Sequence, residues 1–138
     1  MNDTAVSKIT SLQHCVARAC SVWQDAGNHF LTDFNMQDVA ILNILRACEL
    51  AIGIANMAIR KQQLGVPVDS RDSFSILQRE GYLSEGLAKS LKAMVGFRNL
   101  AVHQYHDIDL TIVEHILQHT LDELLKFAQR MLPVIGDT

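Results

Sequence analysis

Residues 36–60 read MQDVAILNILRACELAIGIANMAIR, and the fold turns on this stretch. Val39, Ile41, Leu42, Ile44, Leu45, Leu50, Ile52, Ile54, Met57 and Ile59 spread over nearly the whole circumference of a helix rather than along one stripe. A helix that is apolar on all sides has to be covered on all sides. The pattern, which extends over residues 36–64, therefore predicts a helix that is either central in a bundle or covered in part by a second subunit. It is long enough to span a bilayer, but Asn43, Arg46, Glu49 and Asn56 interrupt it and would be costly to bury in lipid, so no membrane association is expected. Arg46 and Glu49, at i and i+3, are expected to form an ion pair.

Outward from this helix the pattern stays helical. Upstream, Ala5, Ile9, Leu12, Val16, Ala19 and Trp23 recur at steps of four and three, which lines one stripe of a helix over residues 4–27. Gly27 and Asn28 stop it, and Asn35 with Asp38 three positions on has the look of a helix start. Downstream, Gly65, Val66 and Pro67 end the central helix, and residues 69–72 lead into a short helix carrying Phe74, Ile76 and Leu77 before Gly81. Ser84 caps the next helix, whose Leu87, Leu91, Met94, Val95 and Val102 are predicted to face inward, with Lys89 and Lys92 outside. The last helix starts near Asp109, with Thr111 and Glu114 at capping-box spacing, and runs through Leu132 to a stop at Pro133 and Gly136. No period-two alternation points to a strand. The expected fold is all-α: one domain over residues 1–138, an up-and-down bundle of four long helices plus one short helix, assembled as a dimer.

Composition narrows the function classes. The hydrophobic fraction is 49% and the aromatic fraction only 6%, so the core is aliphatic, which suits helices packed on helices. A formal net charge of -3 argues against a protein that coats nucleic acid with a broad basic surface, so any such contact has to be local. Cys15, Cys20 and Cys48 lack CxxC spacing and lie in apolar helical patterns, where thiols act as small hydrophobes. The start Met1-Asn2-Asp3-Thr4 lacks the basic-then-apolar pattern of a leader, so a cytoplasmic location is expected. Glycine-rich phosphate loops, nucleophile elbows and serine-triad spacings are missing. His115 and His119 stand at i and i+4, but the sequence names no third ligand, and neither a metal site nor a cofactor is expected.

Reactive side chains concentrate in Phe97-Arg98-Asn99-Leu100-Ala101-Val102-His103-Gln104-Tyr105-His106-Asp107. An uninterrupted helix would set Arg98 and His103 about 140° apart around its axis. A loosened last turn would instead swing the imidazole back toward the guanidinium. Arginine keeps its charge and offers a planar fork that matches phosphate oxygens, and imidazole is the side chain that exchanges protons near neutrality. Arg98 therefore suits contact with a phosphate, and His103 an acid or base role. The plainer reading has Arg98 and His103 complementing the dipole of a helix C-terminus, and Tyr105 as a half-buried ring with a solvated hydroxyl.

The run Arg98-x4-His103-x-Tyr105, with Asn99 directly after the arginine, resembles the R-x4-H-x-Y signature of the HEPN superfamily, in particular of HepT-like toxins paired with MntA-type nucleotidyltransferase antitoxins. Residues 38–49, 64–67 and 70–74 are also similar to HepT family sequence, so the resemblance covers most of the chain. It implies the toxin of a bacterial type VII-like toxin–antitoxin pair, a homodimeric, metal-independent endoribonuclease that cuts RNA where two R-x4-H motifs meet. It implies Arg98, His103 and Asn99 as the catalytic set, with Asn99 orienting the histidine or holding a phosphate. Tyr105 becomes the residue to which the antitoxin transfers AMP. Two copies of the motif would supply both an acid and a base, which one histidine cannot be at once. A second reading stays open: a helical binding module of the same superfamily that partners a nucleotidyltransferase without cutting RNA.

Overall fold

A computed structural model describes residues 3–136, and among them there are helices and no strand. Met1 and Asn2, where the leader pattern was sought, lie outside the described residues. The helices are α1 (Asp3–Ala26), α2 (Phe34–Gln62), α3 (Ser70–Arg79), α4 (Glu85–His103), α5 (Leu110–His115) and α6 (Leu121–Ile135), with 3-10 turns at Gly27–His29 and Tyr105–Asp107. A π-helical segment, Ile116–Thr120, joins α5 to α6, so residues 110–135 form one rod with a bulge. Four long rods and the short α3 make the expected bundle.

The apolar text of α2 is explained first by position, because α2 packs against α1, α3, α4 and α6. Ala40, Ala47, Ala51, Ala55 and Ala58 are buried along it, and Ala5 and Ala19 are buried on α1. Side chains that end at Cβ let two helix axes approach closely. Ile44, Ile54, Leu77, Leu91, Leu124 and Met131 fill the spaces between rods, and Phe74 on α3 meets Phe127 on α6 edge-on at 5.7 Å. Cys15 and Cys48 are buried and Cys20 half-buried, all as free thiols. Burial pushes the Cys48 thiol up to about 12 against the opposing pull of Arg98, so it stays protonated and unreactive. No helix among the described residues is long and apolar enough to cross a membrane.

Several helix ends depart from the sequence reading, each for a local reason. Asp33, not Asn35, caps α2, because its Oδ1 accepts from the Met36 N–H at 3.1 Å. Buried Gln37 donates to the Phe30 carbonyl at 2.8 Å and closes the same corner. At the other end Gln63 caps the helix in the left-handed conformation, with φ 55, two residues before Gly65, whose φ is also positive. Asp109 caps α5 by accepting from the Thr111 N–H at 2.9 Å, in place of a Thr111–Glu114 box. Pro133 does not stop α6, which runs on to Ile135. The proline leaves only the carbonyl of exposed Gln129 without its helical donor, and water can satisfy that near a helix end.

Truncating Phe127→Ala should cost about 3–5 kcal/mol of unfolding free energy in urea, and Asp33→Ala about 1 kcal/mol. A loss at Phe127 no larger than the one at the cap would contradict the packing described.

Candidate active site

α4 stays regular through His103, and the Gln104 N–H continues the ladder by donating to the Leu100 carbonyl at 2.7 Å. The loosened last turn is therefore not the conformation found, and Arg98 and His103 diverge by about 140°. Arg98 turns toward α2 and α3, with Nη1 donating to Glu49 Oε1 at 2.5 Å and Nη2 to Ser70 Oγ at 3.4 Å. Asn99 and His103, at i and i+4, share a different stripe of α4, and both are exposed.

Two expectations are corrected here. Glu49 pairs with Arg98 rather than with Arg46, which lies exposed one turn away. Val102, predicted inside, is 65% exposed, because the inward side at this end of α4 is carried by Phe97 and Ala101. The Glu49 side chain is itself 57% exposed, so the ion pair contributes only about 0–1 kcal/mol of stability and acts mainly to aim the guanidinium.

Arg98, Val102, Leu45, Leu50, Arg46 and His14 are among the residues lining a groove of about 720 Å³ between α1, α2 and the end of α4. Leu42, 46% exposed, adds to the apolar surface of α2. The four neighbouring helices thus cover most of α2 but leave one apolar side open.

Tyr105 sits in the 3-10 turn after α4, 42% exposed, and its hydroxyl donates to Asp38 Oδ1 at 2.5 Å. Asp38 and Glu49 are the two acidic residues of α2, three turns apart on one stripe. Arg98 and Tyr105 meet them in reverse order, so the motif is clasped to α2 at both ends. Sequence reading did not single out Asp38, Glu49 or Ser70 as site residues. The available signal was that Asp38 and Glu49 stand alone as carboxylates on an otherwise apolar helix. Desolvation first, then the hydrogen bond to Asp38 and its charge, push the Tyr105 phenol up to about 12.

The sequence profile described as Ribonuclease HepT-like matches residues 12–131, a span that contains all of these groups. The chain belongs to the HepT-like ribonuclease family. It is 45% identical over 127 residues to the mRNA nuclease HepT of Shewanella oneidensis, covering 92% of this chain and 95% of that protein. It matches the tri-AMPylated HEPN toxin of Shewanella oneidensis, solved in complex with an MNT antitoxin, with a TM-score of 0.89 at 42% identity, over 96% of this chain and 99% of that one. A further toxin–antitoxin structure, with AMP-PNP, gives 0.88 at 42% identity over 95% and 99%. The HepT-like bundle thus carries a ribonuclease, and the four-long-plus-one-short helix arrangement is the HEPN fold. The rings of His115 and His119 lie 4.9 Å apart, and no group of three or more His, Cys, Asp or Glu able to hold a metal exists among the described residues.

In a Tyr82→Phe background, Asp38→Asn should lower the Tyr105 ionisation midpoint from about 12 part of the way toward 10, read by ultraviolet titration. Because the folded-state value is raised, the stability contributed by the neutral phenol is complete below pH 10 and is lost as pH rises toward 12. A midpoint indifferent to Asp38 would break the clasp.

Proposed function

We propose that this ribonuclease is the toxin of a toxin–antitoxin pair, a homodimeric endoribonuclease that works without a metal and combines Arg98, Asn99 and His103 from two protomers. The observation that carries this reading is the rigid split of α4. One protomer aims Arg98 into an apolar groove and its single His103 along another face, so a single copy brings no acid–base pair of imidazoles to the phosphate its guanidinium reaches. A second copy seated on the open side of α2 would cover Leu42 and Val102 and bring the missing groups.

In such a groove His103 takes the proton of a ribose 2′-hydroxyl as its oxygen attacks phosphorus. His103 of the partner subunit protonates the departing 5′-oxygen, leaving a cyclic phosphate. Arg98 stabilises the charge on the phosphorane, with Glu49 and Ser70 holding the guanidinium until phosphate competes for it. Asn99, one turn from His103, orients the imidazole or a phosphate oxygen.

Neutralisation is assigned to Tyr105, through an MntA-like nucleotidyltransferase partner. The solved relatives support this, being toxins in complex with antitoxins, one of them AMPylated. The Tyr105 oxygen attacks the α-phosphorus of ATP, pyrophosphate leaves, and the phenolic proton passes to a base. The modified oxygen can no longer donate to Asp38, and the new phosphodiester places a negative charge against that carboxylate. The Tyr105–Asp107 turn is thereby driven off α2, and the added charge opposes RNA entry. The binding-module reading is weaker, because Arg98, Asn99 and His103 are all present and the last two are exposed.

Induction without antitoxin should arrest growth, and Arg98→Ala or His103→Ala should each lower RNA cleavage by about 10²–10⁴-fold and relieve the arrest. EDTA should leave cleavage unchanged. Co-expression with the nucleotidyltransferase should add mass to the Tyr105 peptide in adenylyl steps. Full toxicity in both alanine variants would place the chemistry elsewhere, and an unmodified Tyr105 peptide would remove the neutralisation step.

A further inference from the structure

Gly96 lies in the interior of α4 with ordinary helical backbone angles, so nothing in its conformation calls for glycine, which is a poorer helix former than alanine. What its missing side chain makes room for is Arg71. A Cβ built on Gly96 would lie 2.6 Å from Arg71 Nη2. Arg71 is an exposed residue of the first turn of α3, next to Ser70, which accepts the hydrogen bond from Arg98. Among the described residues the Arg71 guanidinium has no hydrogen bond or ion pair; only its backbone carbonyl is engaged, by Ser75.

The side of α4 on which this cation rests matters. Lys92, Gly96, Asn99 and His103 follow at spacings of four, three and four, which is one stripe of a helix. Arg98 belongs to another stripe and is already engaged by Glu49. The guanidinium that has no carboxylate partner therefore lies on the face that carries the exposed imidazole. Gly96 and His103 are separated by about 10 Å along the axis, too far for both groups to grip the same phosphate oxygens.

We infer that Arg71 is a second RNA-phosphate contact, seated over Gly96, that holds a phosphate neighbouring the scissile one and so sets the path of the strand along the Lys92–His103 stripe of α4. The inference rests on the ribonuclease reading. It also supplies the local positive charge that a chain of net charge -3 needs in order to bind RNA.

The test is binding of a short, uncleavable 2′-O-methyl RNA by fluorescence anisotropy across a salt series, with cleavage of ordinary RNA measured in parallel. Arg71→Ala should make the dependence of log K on log salt shallower by about 0.7, the loss of one single-strand phosphate contact, and to the same extent on unrelated sequences. Arg71→Lys should keep most of the slope. Gly96→Ala should reproduce the Arg71→Ala slope with no lower melting temperature, since the methyl group displaces only the end of a flexible side chain. In cleavage, Arg71→Ala should raise KM far more than it lowers kcat. An unchanged slope in Arg71→Ala or in Gly96→Ala, or an equal loss in Arg130→Ala on α6, overturns the assignment. Wild type that cleaves normally while these slopes stay flat retires Arg71 alone, whereas wild type that neither binds nor cuts RNA retires the ribonuclease reading with it.

Discussion

The constraint on which the other elements depend is the apolar circumference of α2. Four helices have to lie against it, and the alanines along it let α1 come close enough to do so. Carboxylates on such a helix can stand only where its neighbours leave an opening, because burying an unpaired charge costs far more than any one contact returns. Asp38 and Glu49 stand on that opening, three turns apart, and each takes one member of the motif segment. The packing that makes the bundle is thus also what places Arg98 and Tyr105.

Charge is handled locally rather than over the whole surface. The chain is acidic overall, yet Arg98, Arg71, Lys92 and His103 gather along α4 from Lys92 to its C-terminus, on two of its faces. One face is tied to α2 through Glu49 and leads into the apolar groove; the other is polar and open. Groups built on a regular helix are held more exactly in register than groups on a loop, because the turn angle leaves no freedom between them. The same regularity separates Arg98 from His103, and this separation turns the nuclease question into one about assembly.

Tyr105 differs from the other motif residues in standing on a 3-10 turn, held to the bundle by a hydrogen bond to Asp38. A hydroxyl that is accessible and yet tethered makes a sensitive handle. Changing its charge acts on the Asp38 contact and on the neighbouring end of α4 together, with no need to disturb the core.

Much of this molecule can be read from its residues alone. The periodicity of α1, the all-round apolar text of α2 and the Ser84 cap sufficed for an all-helical bundle, since these depend on side-chain spacing along a helix and on local capping, while the HEPN type came from the resemblance carried by the R-x4-H-x-Y run and residues 38–49, 64–67 and 70–74. The choice of cap between Asp33 and Asn35, and the end of α2 at Gln63 rather than at Gly65, could not be read, because neighbouring residues compete for one backbone position and differ by about a kcal/mol or less. Tertiary structure alone decided that Glu49 meets Arg98 and not Arg46, that Val102 faces outward, that Asp38 holds Tyr105 and that Arg71 lies over Gly96. These contacts join residues from different helices or depend on where a neighbouring rod ends. Spacing within one helix carries no information about what stands across from it.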